Sequence, residues 1–109
     1  MGARSVAEII RSSQYVSNVK WEYDSKLEFD YERALDYQPK TYKVYMPSRD
    51  DYEISIDVVD IALQYGADII VYDNWIKATI SGKSHAEKKG IKVYSYGYFL
   101  RKIKNGESL

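Results

Sequence analysis

Residues 67 to 73 read ADIIVYD, and this stretch decides the fold. Ile69, Ile70, Val71 and Tyr72 form an unbroken apolar run, the mark of a strand buried on both faces, as parallel strands are. Working outward, Asp50 followed by Glu53 supplies a helix start upstream. Ile54, Val58, Ile61, Ala62 and Tyr65 then fall on one face, and Gly66 closes the helix as its C-cap. Before it, TYKVYM (41–46) is a strand ended by Pro47. Downstream, IKATI (76–80) is a short strand, and Ser84 with Glu87 makes a capping box for a short helix ending at Gly90. IKVYSY (91–96) is a further strand. GYFLRKIK (97–104) is a last helix with Phe99, Leu100 and Ile103 turned inward. Strands alternating with helices predict an α/β layered fold with a largely parallel sheet.

The first 40 residues read differently. Val6, Ile9 and Ile10 lie at helical spacing behind a Ser5/Glu8 capping box. Val19, Trp21 and Tyr23 alternate, as do Leu27, Phe29 and Tyr31, with Asp24-Ser25-Lys26 between them, which predicts a hairpin with one wet face. Residues 32 to 40, with Pro39, are a connector. The organisation expected is therefore a helix-and-hairpin extension over 1–40 and an α/β unit over 41–109. The extension could lengthen the sheet, cover its edge, or form an interface with a second copy in a homodimer.

A chain of 109 residues suits one domain with a real core. With no cysteine and one histidine, disulfide frameworks, thiolate zinc sites and Cys-His catalysis are excluded, and a reducing compartment, cytoplasmic or nuclear, is expected. No apolar run approaches the roughly 18 residues of a membrane span, and no signal-peptide pattern opens the chain. Sixteen basic residues balance sixteen acidic ones, but unevenly. Residues 77 to 104 hold Lys77, Lys83, Lys88, Lys89, Lys92, Arg101, Lys102 and Lys104 against Glu87 alone, whereas 49 to 73 hold seven acids against Arg49. Two mutually attracting solvated halves explain this, and so does a basic face for nucleic acid or phosphate. Strand propensity accounts for most of the twelve tyrosines, leaving base stacking for a few.

SGKS (81–84) looks like the tail of a phosphate loop. That loop needs a glycine four residues before its Gly-Lys pair and a long helix after it; here Lys77 holds that position and the helix is short. His85 has no triad partner at a meaningful spacing and reads as a surface residue. Asp57, Asp60 and Gln64 form the polar stripe that an amphipathic helix requires. A divalent-metal nuclease of the restriction-endonuclease-like class is a competing enzyme reading, because helix, hairpin, strand, helix, strand is broadly its order. Such sites pair an acid on one strand with acid-x-Lys on the next, so that two carboxylates hold the cation while the lysine steers water. Thr41-Tyr42-Lys43 has the lysine without the carboxylate. Asp24-Ser25-Lys26 has the residue types at a hairpin bend, with Glu8 before it. Asp24 or Asp30 with Lys43 would be the candidates.

Taken together, residues 41 to 104 resemble a BRCT domain. SGKSHAEKKGIKVYSYGYFLRKI is similar to the family's Ser-Gly-Lys, helix, Gly-Ile, strand and Phe-Leu helix. TYKVYM resembles its first strand, SIDVVDIALQYGADIIVYD its first helix and second strand, and IKATI a shortened third strand. The resemblance implies a central parallel four-stranded sheet flanked by helices and no catalytic activity, cofactor or metal. It implies a role in DNA replication or repair, binding a phosphate-bearing DNA end or a phosphorylated or acidic protein partner. Pro47-Ser48 stands where phosphate-binding members carry Ser/Thr-Gly, and Lys83 matches their lysine; the expected anion site is Ser48, Lys83, Ser84 and Lys88. Independently, a strand end and a helix N-terminus at one end of a sheet favour an anion. A pure protein-interaction domain docking through the hairpin is the third possibility.

Overall fold

The computed structural model describes residues 2–47, 53–73 and 76–109. In chain order the elements are α1 (Ala3–Ile10), β1 (Val16–Glu22), β2 (Lys26–Tyr31), β3 (Lys40–Tyr45), β4 (Glu53–Ile54), α2 (Ile56–Tyr65), β5 (Ile69–Tyr72), β6 (Lys77–Ala78), α3 (Ile80–Lys88), β7 (Lys92–Ser95) and α4 (Tyr96–Asn105). The chain is a mixed α/β protein.

Five strands form the main sheet in the order β1-β2-β3-β5-β7. β1 to β3 are an antiparallel meander, whereas β3–β5 and β5–β7 are parallel pairs. The parallel sheet of four strands implied by the family resemblance is therefore not the sheet this chain forms: three parallel strands are extended by the N-terminal hairpin. The strand expected at 76–80 shrinks to β6, which pairs in parallel with β4 in a separate two-stranded ribbon. Thr79 explains this detour. Its N–H and its hydroxyl both donate to the carbonyl of Ile54, at 3.3 and 3.1 Å, fastening the chain there just before α3 begins. The hairpin joins the α/β unit through six registered pairs between β2 and β3, so both halves share one sheet.

The side-chain period of strands puts the core on both sides of that sheet. On one face Leu27, Phe29, Tyr31, Val44, Ile69 and Val71 pack against Val6, Ala7 and Ile10 of α1 and Phe99 and Ile103 of α4. On the other, Tyr45 and Ile70 meet Val58, Val59 and Ala62 of α2 and Ala86 of α3. Ile69, Ile70 and Val71 are each at most 1% exposed, as a doubly covered strand demands. Each large apolar side chain so buried contributes roughly 1.5–3 kcal/mol. The α2 side of β1 and β2 is different, since Lys20, Glu22, Lys26, Glu28 and Asp30 remain half-buried or exposed there.

Helix starts depart from expectation. α1 begins at Ala3 with Gly2 as N-cap, and α3 begins at Ile80, so Ser5 and Ser84 lie inside helices and neither capping box forms. The side-chain caps are Ser55, Thr79 and Ser95, which accept from Val58, Gly82 and Tyr98 N–H respectively. Asp50 lies outside the described residues. Gly66 does close α2 in the left-handed conformation, at φ 82°.

Candidate nucleic-acid interface

Because α3 starts four residues before Ser84, the SGKS stretch becomes its first turns. Gly82 donates its N–H to Thr79 Oγ1 at 2.9 Å, and the Lys83 N–H donates to Thr79 O at 2.9 Å. Both amides are thus engaged within the protein, Gly82 by the Thr79 cap and Lys83 by the first turn of α3. The glycine serves packing: a Cβ at Gly82 would overlap the Ile54 carbonyl oxygen and meet its carbon at 2.8 Å. Ser48 lies outside the described residues. Lys83, Ser84 and Lys88 are all exposed on α3.

Lys83 nevertheless belongs to a basic surface, one set by topology. Among the described residues β7 is the last strand of the sheet, with α3 on one face and α4 on the other, so the basic segment 77–104 wraps around a sheet edge. A shallow depression along that edge is lined by Lys83, Glu87, Ile91, Lys92, Val93 and Tyr94. Ser84 and Lys88 sit further round α3 and do not line it. Tyr94 leads from the depression onto α4, where its ring lies 5.4 Å from that of Tyr98 in a tilted pair. Two cations lie by the Tyr98 ring, and one of them is shared with Tyr94. The Arg101 guanidinium lies 5.0 Å from the Tyr98 centroid, and Lys102 Nζ lies 5.0 Å from Tyr98 and 5.6 Å from Tyr94. Tyr98 is 41% exposed, so much of its ring faces water. Burial pushes the Tyr94 hydroxyl above its ordinary value against the opposing pull of Lys102. The basic run and the tyrosine excess are both visible in the sequence, but their meeting is not, because it depends on which strand ends the sheet.

The acidic candidates assemble only in part. Asp30 and Glu28 lie on the α2 face of β2, opposite Thr41 and Lys43 of β3. Asp30 accepts hydrogen bonds from Asn18 Nδ2 at 2.8 Å and Thr41 Oγ1 at 2.6 Å, and these hold its carboxyl below the usual range. Lys43 Nζ rests 5.4 Å from the Tyr65 ring centroid. Thr41 thus fills the place of the second carboxylate with a hydroxyl donor. Asp24 is exposed in the β1–β2 turn, and Glu8 pairs with Arg4 at 3.6 Å on α1, across the sheet from Asp30. Among the described residues no group of three or more His, Cys, Asp or Glu is placed to hold a metal ion. His85 Nε2 meets Asp60 Oδ1 at 2.8 Å, tying α3 to α2. No helix of the described residues is long and apolar enough to cross a membrane.

Compared with protein-family models, curated proteins and solved structures, the chain matches none.

Proposed function

We propose that this chain is a non-catalytic module that binds nucleic acid along the open β7 edge, taking unpaired bases and their phosphates. One observation carries the proposal: Tyr94 and Tyr98, paired and partly exposed, have Lys102 beside both rings and Arg101 beside Tyr98, and Tyr94 shares a depression with Lys83 and Lys92. Aromatic platforms beside cations are what single-stranded nucleic acid requires, since every base has a stackable face and every nucleotide a phosphate. The BRCT-like reading of residues 41–104 supports the same ligand chemistry, a phosphate-bearing DNA end or a phosphorylated partner. Here Lys83 contributes from the side of the edge, not from a helix N-terminus.

The strand order favours one other reading. Helix, three-stranded meander, helix and parallel strand is the order described above for restriction-endonuclease-like nucleases, with Asp30 and Lys43 sharing a face. Thr41 argues against activity because the acid-x-Lys position before Lys43 carries a hydroxyl, and Asp30 is already committed to two hydrogen bonds.

Fluorescence anisotropy of a labelled oligonucleotide, single-stranded or with a 5′-phosphorylated frayed end, tests both readings at two salt concentrations with and without magnesium. Binding should weaken with salt, and Tyr98→Ala should cost about tenfold in affinity. Binding indifferent to Tyr98→Ala and Lys102→Ala would refute the assigned surface. Magnesium-dependent cleavage lost in Asp30→Asn would instead establish the nuclease. Binding only to a phosphorylated peptide would move the module to protein recognition.

A further inference from the structure

At the opposite end of the sheet β1 is the other edge strand, with β2 as its one strand neighbour among the described residues. Its backbone polarity can be read from two hydrogen bonds. Met46 N–H donates to Ser25 O at 2.7 Å, and Glu32 N–H donates to Tyr15 O at 2.9 Å. Successive residues of an antiparallel ladder turn their N–H and C=O to alternate sides. Ser25 and Leu27 therefore address β3, while Lys26, Glu28 and Glu32 address β1. Lys20 and Glu22, registered against Glu28 and Lys26, turn inward to β2. The N–H and C=O of Trp21 consequently point out of the sheet, next to an indole that is 44% exposed and a Tyr23 that is 71% exposed.

Side-chain charge follows a matching pattern. Across the sheet one row reads Lys43, Glu28, Lys20, and the next reads Tyr45, Lys26, Glu22. The first row alternates in sign across all three strands, the second across Lys26 and Glu22, and both break off at the edge.

We infer that β1 pairs antiparallel with β1 of a second copy of this chain, about a two-fold axis through Trp21. In that register the two Trp21 residues exchange both of their outward backbone hydrogen bonds. Lys20 faces the partner's Glu22, and Glu22 faces the partner's Lys20. The first row then continues as Lys43, Glu28, Lys20, the partner's Glu22 and the partner's Lys26, alternating without a break. A lysine on an edge strand ordinarily deters association. Here the glutamate two residues on answers it, so the edge is self-complementary, as an isologous interface must be. The two exposed aromatics become covered at the join. This pairing leaves both β7 edges open and does not depend on what they bind.

Sedimentation velocity of the full chain over a concentration series is the first test, with a reversible dimer expected. Lys20→Glu and Glu22→Lys each place like charges opposite one another twice, and each should weaken dimerisation about tenfold or more. Mixing the two variants restores opposite charges at both positions, so a heterodimer should form. Wild-type chain that stays monomeric throughout would overturn the inference, as would folded variants that dimerise like wild type, or a folded mixture that stays monomeric. Trp21→Pro guards against variants that fail to fold. It deletes the outward N–H without removing a donor to β2 and should yield a folded monomer; a dimer as tight as wild type would overturn the pairing.

Discussion

Replacing Gly82 by alanine decides whether the glycine of SGKS serves a ligand or the packing of α3. The added Cβ would overlap the carbonyl oxygen of Ile54, reach its carbon at 2.8 Å and touch Thr79 Oγ1 at 3.0 Å. Relaxed carbon–carbon contact begins near 3.5 Å, so α3 and β4 must separate by about 0.7 Å or more. Neither side yields easily, because the same Ile54 carbonyl accepts from Thr79 N–H and Thr79 Oγ1. Overpacking costs about 1–3 kcal/mol, and backbone opposing backbone belongs at the upper end. Exchanging glycine for alanine in a helix returns about 1 kcal/mol. The net expectation is a loss of about 2 kcal/mol, or about 10 °C in melting temperature for a domain of this size. Thermal unfolding followed by circular dichroism reads it. Gly97→Ala is the control, since nothing lies within 4 Å of a Cβ there, and it should be neutral or stabilising. Gly82→Ala melting at or above the wild-type temperature while abolishing oligonucleotide binding would refute the packing role.

Phe29→Ala should cost about 3–5 kcal/mol, because its fully buried ring touches Tyr31, Tyr42 and Phe99; a lowered urea midpoint at unchanged slope would read it. Tyr31 predicts an alkaline limit. Burial pushes its hydroxyl from 10.0 up to about 12, so its contribution is complete below pH 10 and is lost as pH rises through 12. Melting temperature measured across that window should fall less steeply for Tyr31→Phe. The same variant, losing donation to Glu107 O at 2.8 Å, should be less stable by about 1 kcal/mol at neutral pH. Lys102→Ala should flatten the salt dependence of oligonucleotide binding by about 0.7 in log–log slope, the share of one phosphate contact on a single strand.

The local elements were legible wherever burial imposes a period. Ile69 to Tyr72 announced a doubly buried strand, and Leu27, Phe29 and Tyr31 announced a strand with one wet face; both sit where their patterns put them. Helix starts were not, because Ser-x-x-Glu occurs inside α1 and α3 as readily as at a cap. Thr79, the cap that matters, has glycine where a capping box has glutamate. Strand order was hidden for a different reason. Residues 76–80 have strand propensity, but hydrogen bonding of Thr79 to Ile54 takes them out of the main sheet, and such a long-range choice leaves no periodicity. The site shared that fate. Lys83 stands out in the sequence, yet Lys92, Tyr94, Tyr98 and Lys102, the other residues of the proposed surface, come together only because β7 ends the described sheet with α3 and α4 on opposite sides.

Amide chemical-shift mapping with a single-stranded oligonucleotide addresses the β7 edge most directly. Shifts concentrated on Lys92 to Ser95 and on α4 from Tyr96 to Lys102, with smaller ones at Lys83, are the predicted outcome. Shifts confined to the polar α2 face of β1 to β3, around Glu28, Asp30 and Lys43, would contradict it.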